Sequence, residues 1–180
     1  MKLLSVLATS TLLTLGATTS TLAFSATPTQ NTQTQTAQTK VAQSTISIDQ
    51  AINIAKRNAQ GVVKSVEFDS DDNQYEVEFV SGTTNYEVEL DASTGKIVKS
   101  KQKKLSTSDT QKYAPLTNAK VSLTQALKNA NNTVKGQVTE AEFDTENGQP
   151  VYEVKIVKAG EKHKVYVDVN TGKVIKTKLD

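Results

Sequence analysis

An internal repeat is the feature that most constrains how this chain can fold. Residues 46–52 (ISIDQAI) return as residues 121–127 (VSLTQAL), and residues 94–98 (TGKIV) return as residues 171–175 (TGKVI). The matches occur in the same order in both stretches, with one short insertion near Asn147 in the second copy. Self-similarity of this kind indicates that one supersecondary unit is used twice.

Each copy opens with the sequence signature of a helix start. In a capping box, a serine and a glutamine three positions later each satisfy a backbone amide of the other residue. This spacing is present at Ser47 and Gln50, and again at Ser122 and Gln125. Apolar residues then follow at the intervals of one helix face, at Ile48, Ala51, Ile52 and Ala55 and at Leu123, Ala126, Leu127 and Ala130. We therefore predict one short amphipathic helix per copy.

Alternating apolar and polar residues follow each predicted helix. The apolar positions are Val66, Phe68, Tyr75, Val77, Phe79, Tyr86, Val88 and Leu90 in the first copy and Ala141, Phe143, Tyr152, Val154, Ile156, Val165 and Val167 in the second. A period of two indicates strands with one buried face, and the helix is the element available to cover it. The sequence predicts an α+β fold of two repeats, each one N-terminal helix packed on a three- to four-stranded antiparallel sheet.

The repeat boundaries divide the chain into segments. We predict a signal peptide at residues 1–26, a disordered Thr/Gln-rich spacer at 27–45, a first module at 46–100, a basic linker at 101–120 and a second module at 121–180. The spacer has no hydrophobic period, so both a surface tether and a plain spacer fit its composition. The lysine-rich linker suggests a flexible connection, although a long loop lying on the surface also fits.

The first residues have the plan of a secretory signal, with Lys2, an apolar stretch and small residues between Ala23 and Ala26. A retained membrane anchor is the alternative, but the many Thr and Ser residues make the stretch too polar for the roughly 20 apolar residues that a span needs. We expect a secreted or cell-surface protein whose mature form has no membrane span. The absence of Cys excludes disulfides and thiolate zinc sites.

The sequence offers no constellation typical of an enzyme. The single His, His163, is predicted to be a partly buried strand residue, and no nucleophile elbow or phosphate-binding glycine loop is present. Residues 69–73 (DSDDN) begin like a calcium loop, but Gln74 and Val80 replace the glycine and glutamate that such a loop requires. A polar hairpin turn is the simpler interpretation. We predict that the protein is not an enzyme and that it uses no cofactor or metal.

Five glutamates of the first module are the candidate interaction face. Alternation places Glu67, Glu76, Glu78, Glu87 and Glu89 together on the sheet face opposite the helix. This acidic face is either a solvated surface or a contact surface for the basic linker, a basic partner or cations. The corresponding face of the second module is mixed in charge. The lysines at 99–104 allow weak contact with anionic wall polymer, whereas export and the lack of interleaved aromatic residues argue against nucleic acid.

The strand and turn motifs together resemble the PepSY domain. The first copy carries YEV at residues 75–77 and YEVELDASTGKIV at 86–98, and the second carries YEV at 152–154 and VYVDVNTGKVI at 165–175. The resemblance covers both modules. It implies a domain found in the propeptides of secreted metallopeptidases and in small exported or membrane-anchored bacterial proteins, where it is proposed to restrain peptidase activity.

The resemblance and the residues together yield two hypotheses for function. The first is a secreted, non-catalytic pair of protein-binding modules that modulates or inhibits an extracellular peptidase through a protein partner still to be identified. The second is a structural or cell-envelope-associated protein that is held electrostatically to wall polymer. Salt-sensitive retention on the cell wall would favour the second hypothesis.

Overall fold

A computed structural model describes residues 45–180. The predicted signal peptide and nearly all of the predicted spacer lie outside the described residues. The described part contains α1 (Ile48–Ala55), β1 (Val62–Asp69), β2 (Gln74–Ser81), β3 (Thr84–Asp91), β4 (Ile97–Lys104), α2 (Thr107–Thr117), α3 (Leu123–Thr133), β5 (Gln137–Glu146), β6 (Gln149–Lys158), β7 (Glu161–Asp168) and β8 (Val174–Leu179). Within residues 45–180, no helix has the length and apolar character needed to cross a bilayer.

The two predicted helices are present and begin at the predicted caps. Ser47 accepts a hydrogen bond from the Gln50 amide, and the Gln50 side chain accepts one from the Ser47 amide, so the capping box is complete. In the second copy Ser122 accepts from the Gln125 amide at 3.2 Å. The Gln125 side chain instead donates to Asn129 Oδ1, and only half of that capping box forms.

All eight strands belong to one antiparallel sheet, in the order β4-β3-β2-β1-β5-β6-β7-β8. The expectation of a separate sheet for each repeat was therefore wrong, although each repeat does supply four strands. The two halves join where β1 pairs with β5, through Ser65 with Glu142, Val66 with Ala141 and Glu67 with Glu140. The physical reason is that β1 and β5 would each be an edge strand of an isolated module, with backbone groups that need a partner. We call this three-pair junction the seam.

α1 and α3 cover one face of the sheet, over a single core that crosses the seam. The alanines of the predicted helix stripes are fully buried, which lets α1 and α3 lie close to the strands; these are Ala51, Ala55, Ala126 and Ala130. Val66 and Ala141, which pair across the seam, are also fully buried and belong to the same hydrophobic cluster. The core is therefore continuous from one repeat to the other.

One tyrosine in each repeat attaches a strand to the segment before the helix. The Tyr75 hydroxyl donates to the Ile46 carbonyl, and the Tyr152 hydroxyl donates to the Val121 carbonyl, each at 2.9 Å. Both rings are buried, and burial raises the pKa of Tyr152 to about 12. The YEV motif of each repeat thus fixes where its helix begins.

Residues 101–120, expected to be a flexible basic linker, are largely ordered structure. Residues 101–104 complete strand β4, and α2 occupies most of the remainder. Ser106 caps α2 by accepting from the Asp109 amide at 3.0 Å. Leu116 is 1% exposed within the common core, and the ring centroid of Tyr113 lies 6.2 Å from that of Phe143 in β5. The connection is therefore docked on the fold through Leu116, which is buried, and Tyr113, which packs against the core.

Replacing Leu116 with alanine tests whether α2 is docked. We expect a loss of about 2 to 5 kcal/mol in the free energy of unfolding, because a buried leucine is removed and a cavity remains. Urea denaturation followed by circular dichroism measures this change. The control is Gln111→Ala, which changes an exposed residue of the same helix. Equal stability of the two variants would mean that the segment is a loose linker after all.

Candidate interaction face

The five predicted glutamates do lie together on the sheet face opposite α1 and α3, which we call the outer face. Their positions follow from the strand register, which places Glu67 opposite Glu76, Glu76 opposite Glu89, and Glu78 opposite Glu87. One row of directly opposed residues runs across all eight strands; in order it is Lys99, Glu89, Glu76, Glu67, Glu140, Lys155, Lys164 and Lys178. The centre of the outer face is thus acidic and both ends are basic.

Three of the five glutamates are neutralised by lysines of the same chain. The Lys101 ammonium lies 3.1 Å from a Glu87 oxygen, and Lys99 forms an ion pair with Glu89. Both lysines come from β4, which pairs with β3 in a register that puts each lysine opposite its glutamate. Part of the acidic face therefore meets the basic segment that follows the first module.

Glu78 is neutralised from the other side of its strand. The Lys64 ammonium of β1 lies 2.9 Å from Glu78 Oε2, and the buried Asn85 amide donates to the same oxygen at 2.6 Å. Lys64 also lies 5.0 Å from the centroid of the Tyr113 ring in α2. The Glu78 carboxylate is therefore held in a network that includes the connecting helix.

The remaining two glutamates and one from the second module form an uncompensated acidic patch around the seam. Glu67, Glu76 and Glu142 have no ion pair with any residue in the range 45–180. Partial burial raises the pKa of all three, and neighbouring carboxylates raise it further, while Lys155 offsets part of this rise for Glu67 and Glu142. For Glu67 the strongest repulsion comes from Glu140, its direct partner across the seam. We call Glu67, Glu76 and Glu142 the seam patch.

Three carboxylates of this face are close enough to share a cation. Oxygens of Glu76, Glu87 and Glu89 lie within 4.8 Å of one another. The Lys99 ammonium, however, pairs with Glu89 and lies 3.7 Å from Glu87. Lys99 therefore offsets the charge of Glu87 and Glu89 but not that of Glu76. The expectation that the protein binds no metal stays a prediction.

The outer face of the second module carries both charges. Lys155 pairs with Glu140 at 2.7 Å, and Lys164 pairs with Glu153 at 3.0 Å. The ammonium groups of Lys176 and Lys178 each lie 5.4 Å from the centroid of the buried Tyr166 ring. The two modules thus present different surfaces on the same sheet.

The two other features noted in the sequence, His163 and residues 69–73, belong to the framework of the sheet. His163 lies on β7 with its side chain 17% exposed, beside a polar cavity of about 220 Å³ that Glu67, Glu140 and Lys155 also line. Residues 70–73 form the turn between β1 and β2, where Asp69 accepts from the amides of Asp71 and Asp72. That stretch is a polar hairpin turn.

Two members of this region were missed by the sequence reasoning. Glu140 and Glu142 belong to β5, and nothing local in the sequence places β5 beside β1. A signal was nonetheless present, because Glu142 occupies the same position in the second repeat as Glu67 in the first. Pairing of the two equivalent strands brings both residues to the seam.

Comparison with known proteins gives one family match. The chain matches PepSY, described as "Peptidase propeptide and YPEB domain", at residues 45–101 and again at residues 120–178. No curated protein matches the chain.

Several solved structures are similar to the chain at low identity. The protein CD1622 from Clostridium difficile 630 is 27% identical, with 76% of this chain and 94% of that chain covered and a TM-score of 0.48. The YpmB protein from Bacillus subtilis is 23% identical, with 73% and 96% covered and a TM-score of 0.34. The C-terminal domain of Bacillus megaterium YpeB is 18% identical, with 74% and 65% covered and a TM-score of 0.30.

Substitution of Glu76 tests the electrostatics of the seam patch. Because its pKa is raised in the folded chain, ionised Glu76 destabilises the fold at neutral pH, and this effect disappears as acid protonates the carboxyl group. We expect Glu76→Gln to raise the free energy of unfolding at pH 7 by only a few tenths of a kcal/mol, since solvent screens this exposed residue. Urea denaturation at neutral and acidic pH measures this change in the free energy of unfolding.

Glu89→Gln is the matched control for this prediction. The pKa of Glu89 is lowered, chiefly by its hydrogen bond from Lys99, so its ionised form stabilises the fold above the unfolded pKa. We expect Glu89→Gln to destabilise the protein at neutral pH, with the difference shrinking as the pH falls through the folded pKa. The same sign for both variants would contradict the division of the face into neutralised and uncompensated carboxylates.

Proposed function

The chain belongs to the PepSY family as a tandem PepSY domain protein, and we propose that it is an exported, non-catalytic pair of binding modules that modulates an extracellular peptidase. The family description, which names peptidase propeptides, supports a peptidase as the partner. The sequence supports the non-catalytic part, since it has no Cys and a single His. The apolar start of the chain supports export.

The observation that carries the proposal is the seam patch. Glu67, Glu76 and Glu142 lie near the centre of the sheet face opposite α1 and α3 and form no ion pair within residues 45–180, while their neighbours Glu87 and Glu89 are paired with lysines. A group whose ionised form is destabilised in the free protein gains when a cation arrives. The patch is therefore suited to a basic side chain of a partner protein.

Lysines on either side of the seam patch would orient a bound partner. Lysines stand at both ends of the row that crosses the outer face, with Lys99 at one edge and Lys178 at the other. Complementary charge of this kind raises association rates and selects among partners more than it adds affinity. A partner with a central basic group and an acidic surround fits the charge pattern.

An alternative function follows from the lysines of the sheet edges. β4 and β8 are exposed along nearly their whole length and carry Lys103, Lys104 and Lys178 among other lysines. Such edges would hold the protein to anionic wall polymer by electrostatic attraction. Binding of this kind falls steeply as salt is added, because solvent-exposed charges are screened.

The deciding experiment compares two double variants in a pull-down and an activity assay. The full chain is immobilised and exposed to the secreted and wall fractions of its host, and captured peptidases are assayed with and without added protein. We expect Glu67→Gln with Glu76→Gln to lose capture and inhibition at least several-fold, because it removes uncompensated charge. The matched control is Glu87→Gln with Glu89→Gln. It also removes two carboxylates, but lysines already neutralise these two, so capture and inhibition should both be retained.

The outcomes separate the two functions. A peptidase bound tightly but unchanged in activity would contradict modulation. Equal behaviour of both double variants would contradict the seam patch as the contact surface. Retention of wall polymer alone, released by moderate salt and unaffected by either double variant, would favour the envelope-associated function.

A further inference from the structure

The sheet ends at β4 in a long, open edge. All eight residues of β4 are exposed, and the strand pairs only with β3 among the elements of residues 45–180. An unpaired edge presents a row of backbone N–H and C=O groups that can bond to another extended chain. Val98 is 55% exposed on this strand, which adds apolar surface to the backbone groups.

The hydrogen-bond pattern shows which backbone groups of β4 face outward. The Leu105 amide donates to the Thr83 carbonyl at 2.7 Å, so residue 105 directs its backbone toward β3. In an antiparallel pair this direction alternates from one residue to the next. Residues 99, 101 and 103 therefore bond to β3, whereas Ser100 and Gln102 direct their N–H and C=O groups away from the sheet.

The side chains of β4 specify what kind of strand fits there. Lys99, Lys101 and Lys103 share the outer face, and the first two already lie opposite Glu89 and Glu87 of β3. Lys103 and Lys104 form no ion pair with a residue of the described range. β3, which pairs with one side of β4, alternates acidic with apolar residues. A strand with the same pattern therefore fits the open side of β4.

The lysines of both sheet edges make pairing between two copies of this chain unfavourable. β8, the opposite edge of the sheet, carries Lys176 and Lys178 on its outer face and is likewise exposed. Pairing of β4 with β4, or of β4 with β8 in another copy, would set lysines against lysines, and like charges directly opposite are destabilising. The edges therefore disfavour self-association while leaving an acidic strand free to bind.

From these observations we propose that β4 is a strand-addition site for an extended, acidic segment of a partner protein, in which acidic residues alternate with apolar or small ones. Main-chain hydrogen bonds to Ser100 and Gln102 give the affinity, and the row of lysines selects the sequence. This site is distinct from the seam patch and goes beyond the proposed function, since it holds whether or not the partner is a peptidase.

A peptide taken from the chain itself is the probe. A synthetic peptide with the sequence of residues 84–91 (TNYEVELD) has the proposed pattern, and its binding to the full chain is measured by fluorescence anisotropy. Two control peptides have the same length: one carries lysine at the three acidic positions, and the other has the same composition in scrambled order. We expect the native order to bind at least ten-fold more tightly than either control.

Matched proline variants locate the site. Gln102→Pro removes an outward N–H of β4 without removing a bond to β3, and edge strands tolerate such a proline. Thr177→Pro does the same on β8, where the Asp180 amide donates to the Lys162 carbonyl and residue 177 therefore faces outward. We expect Gln102→Pro to weaken peptide binding at least ten-fold and Thr177→Pro to leave it unchanged, with both variants folded by circular dichroism.

A charge swap completes the test. Lys103→Glu should weaken binding of the acidic peptide and strengthen binding of the lysine peptide. Equal binding of the scrambled peptide, or binding that survives Gln102→Pro, would overturn the proposal in favour of diffuse charge attraction. If the Gln102→Pro variant still captures a peptidase, β4 is not the contact surface for that partner. The proposed function would then stand without the β4 site.

Discussion

The seam between β1 and β5 is the constraint on which the rest of the structure depends. Only three residue pairs join the two halves of the sheet, yet they align eight strands and let one core run beneath both repeats. A module of this size buries too little surface to be more than marginally stable alone. The buried pair of Val66 and Ala141 and the docked Leu116 of α2 supply the apolar contacts that hold the halves together.

The seam also determines the electrostatics of the outer face. By pairing equivalent strands, it sets Glu67 opposite Glu140 and brings Glu142 to the same region, where lysines of β4 do not reach. The carboxylates farther from the seam are neutralised because β4 and Lys64 place ammonium groups beside them. Uncompensated charge is thus concentrated at the junction of the repeats, and excess positive charge is left on the two edges.

Local patterns in the sequence predicted the repeated helices and strands well. The capping serines, the alanine stripes and the two-residue alternation are all found where they were expected, because each depends on neighbours a few residues apart. The pairing of β1 with β5 was not predicted, because it joins strands that are distant in sequence. α2 was missed because, apart from Tyr113 and Leu116, its sequence is largely polar, and its burial depends on surfaces that only the folded repeats create. The membership of the acidic face was predicted, but its division into neutralised and uncompensated carboxylates required the register of β4.

The register of the seam has an evolutionary consequence. Val66 and Ala141 are equivalent positions of the two repeats and pair with each other, while the residues on either side pair crosswise. This is the arrangement of an isologous interface, in which identical surfaces meet about a two-fold axis. The chain is therefore built like a fused dimer of one repeated module. Duplication, with α2 as the connection, would then have replaced a concentration-dependent association with an intramolecular one. In a single chain the two outer surfaces need not match, and here they differ.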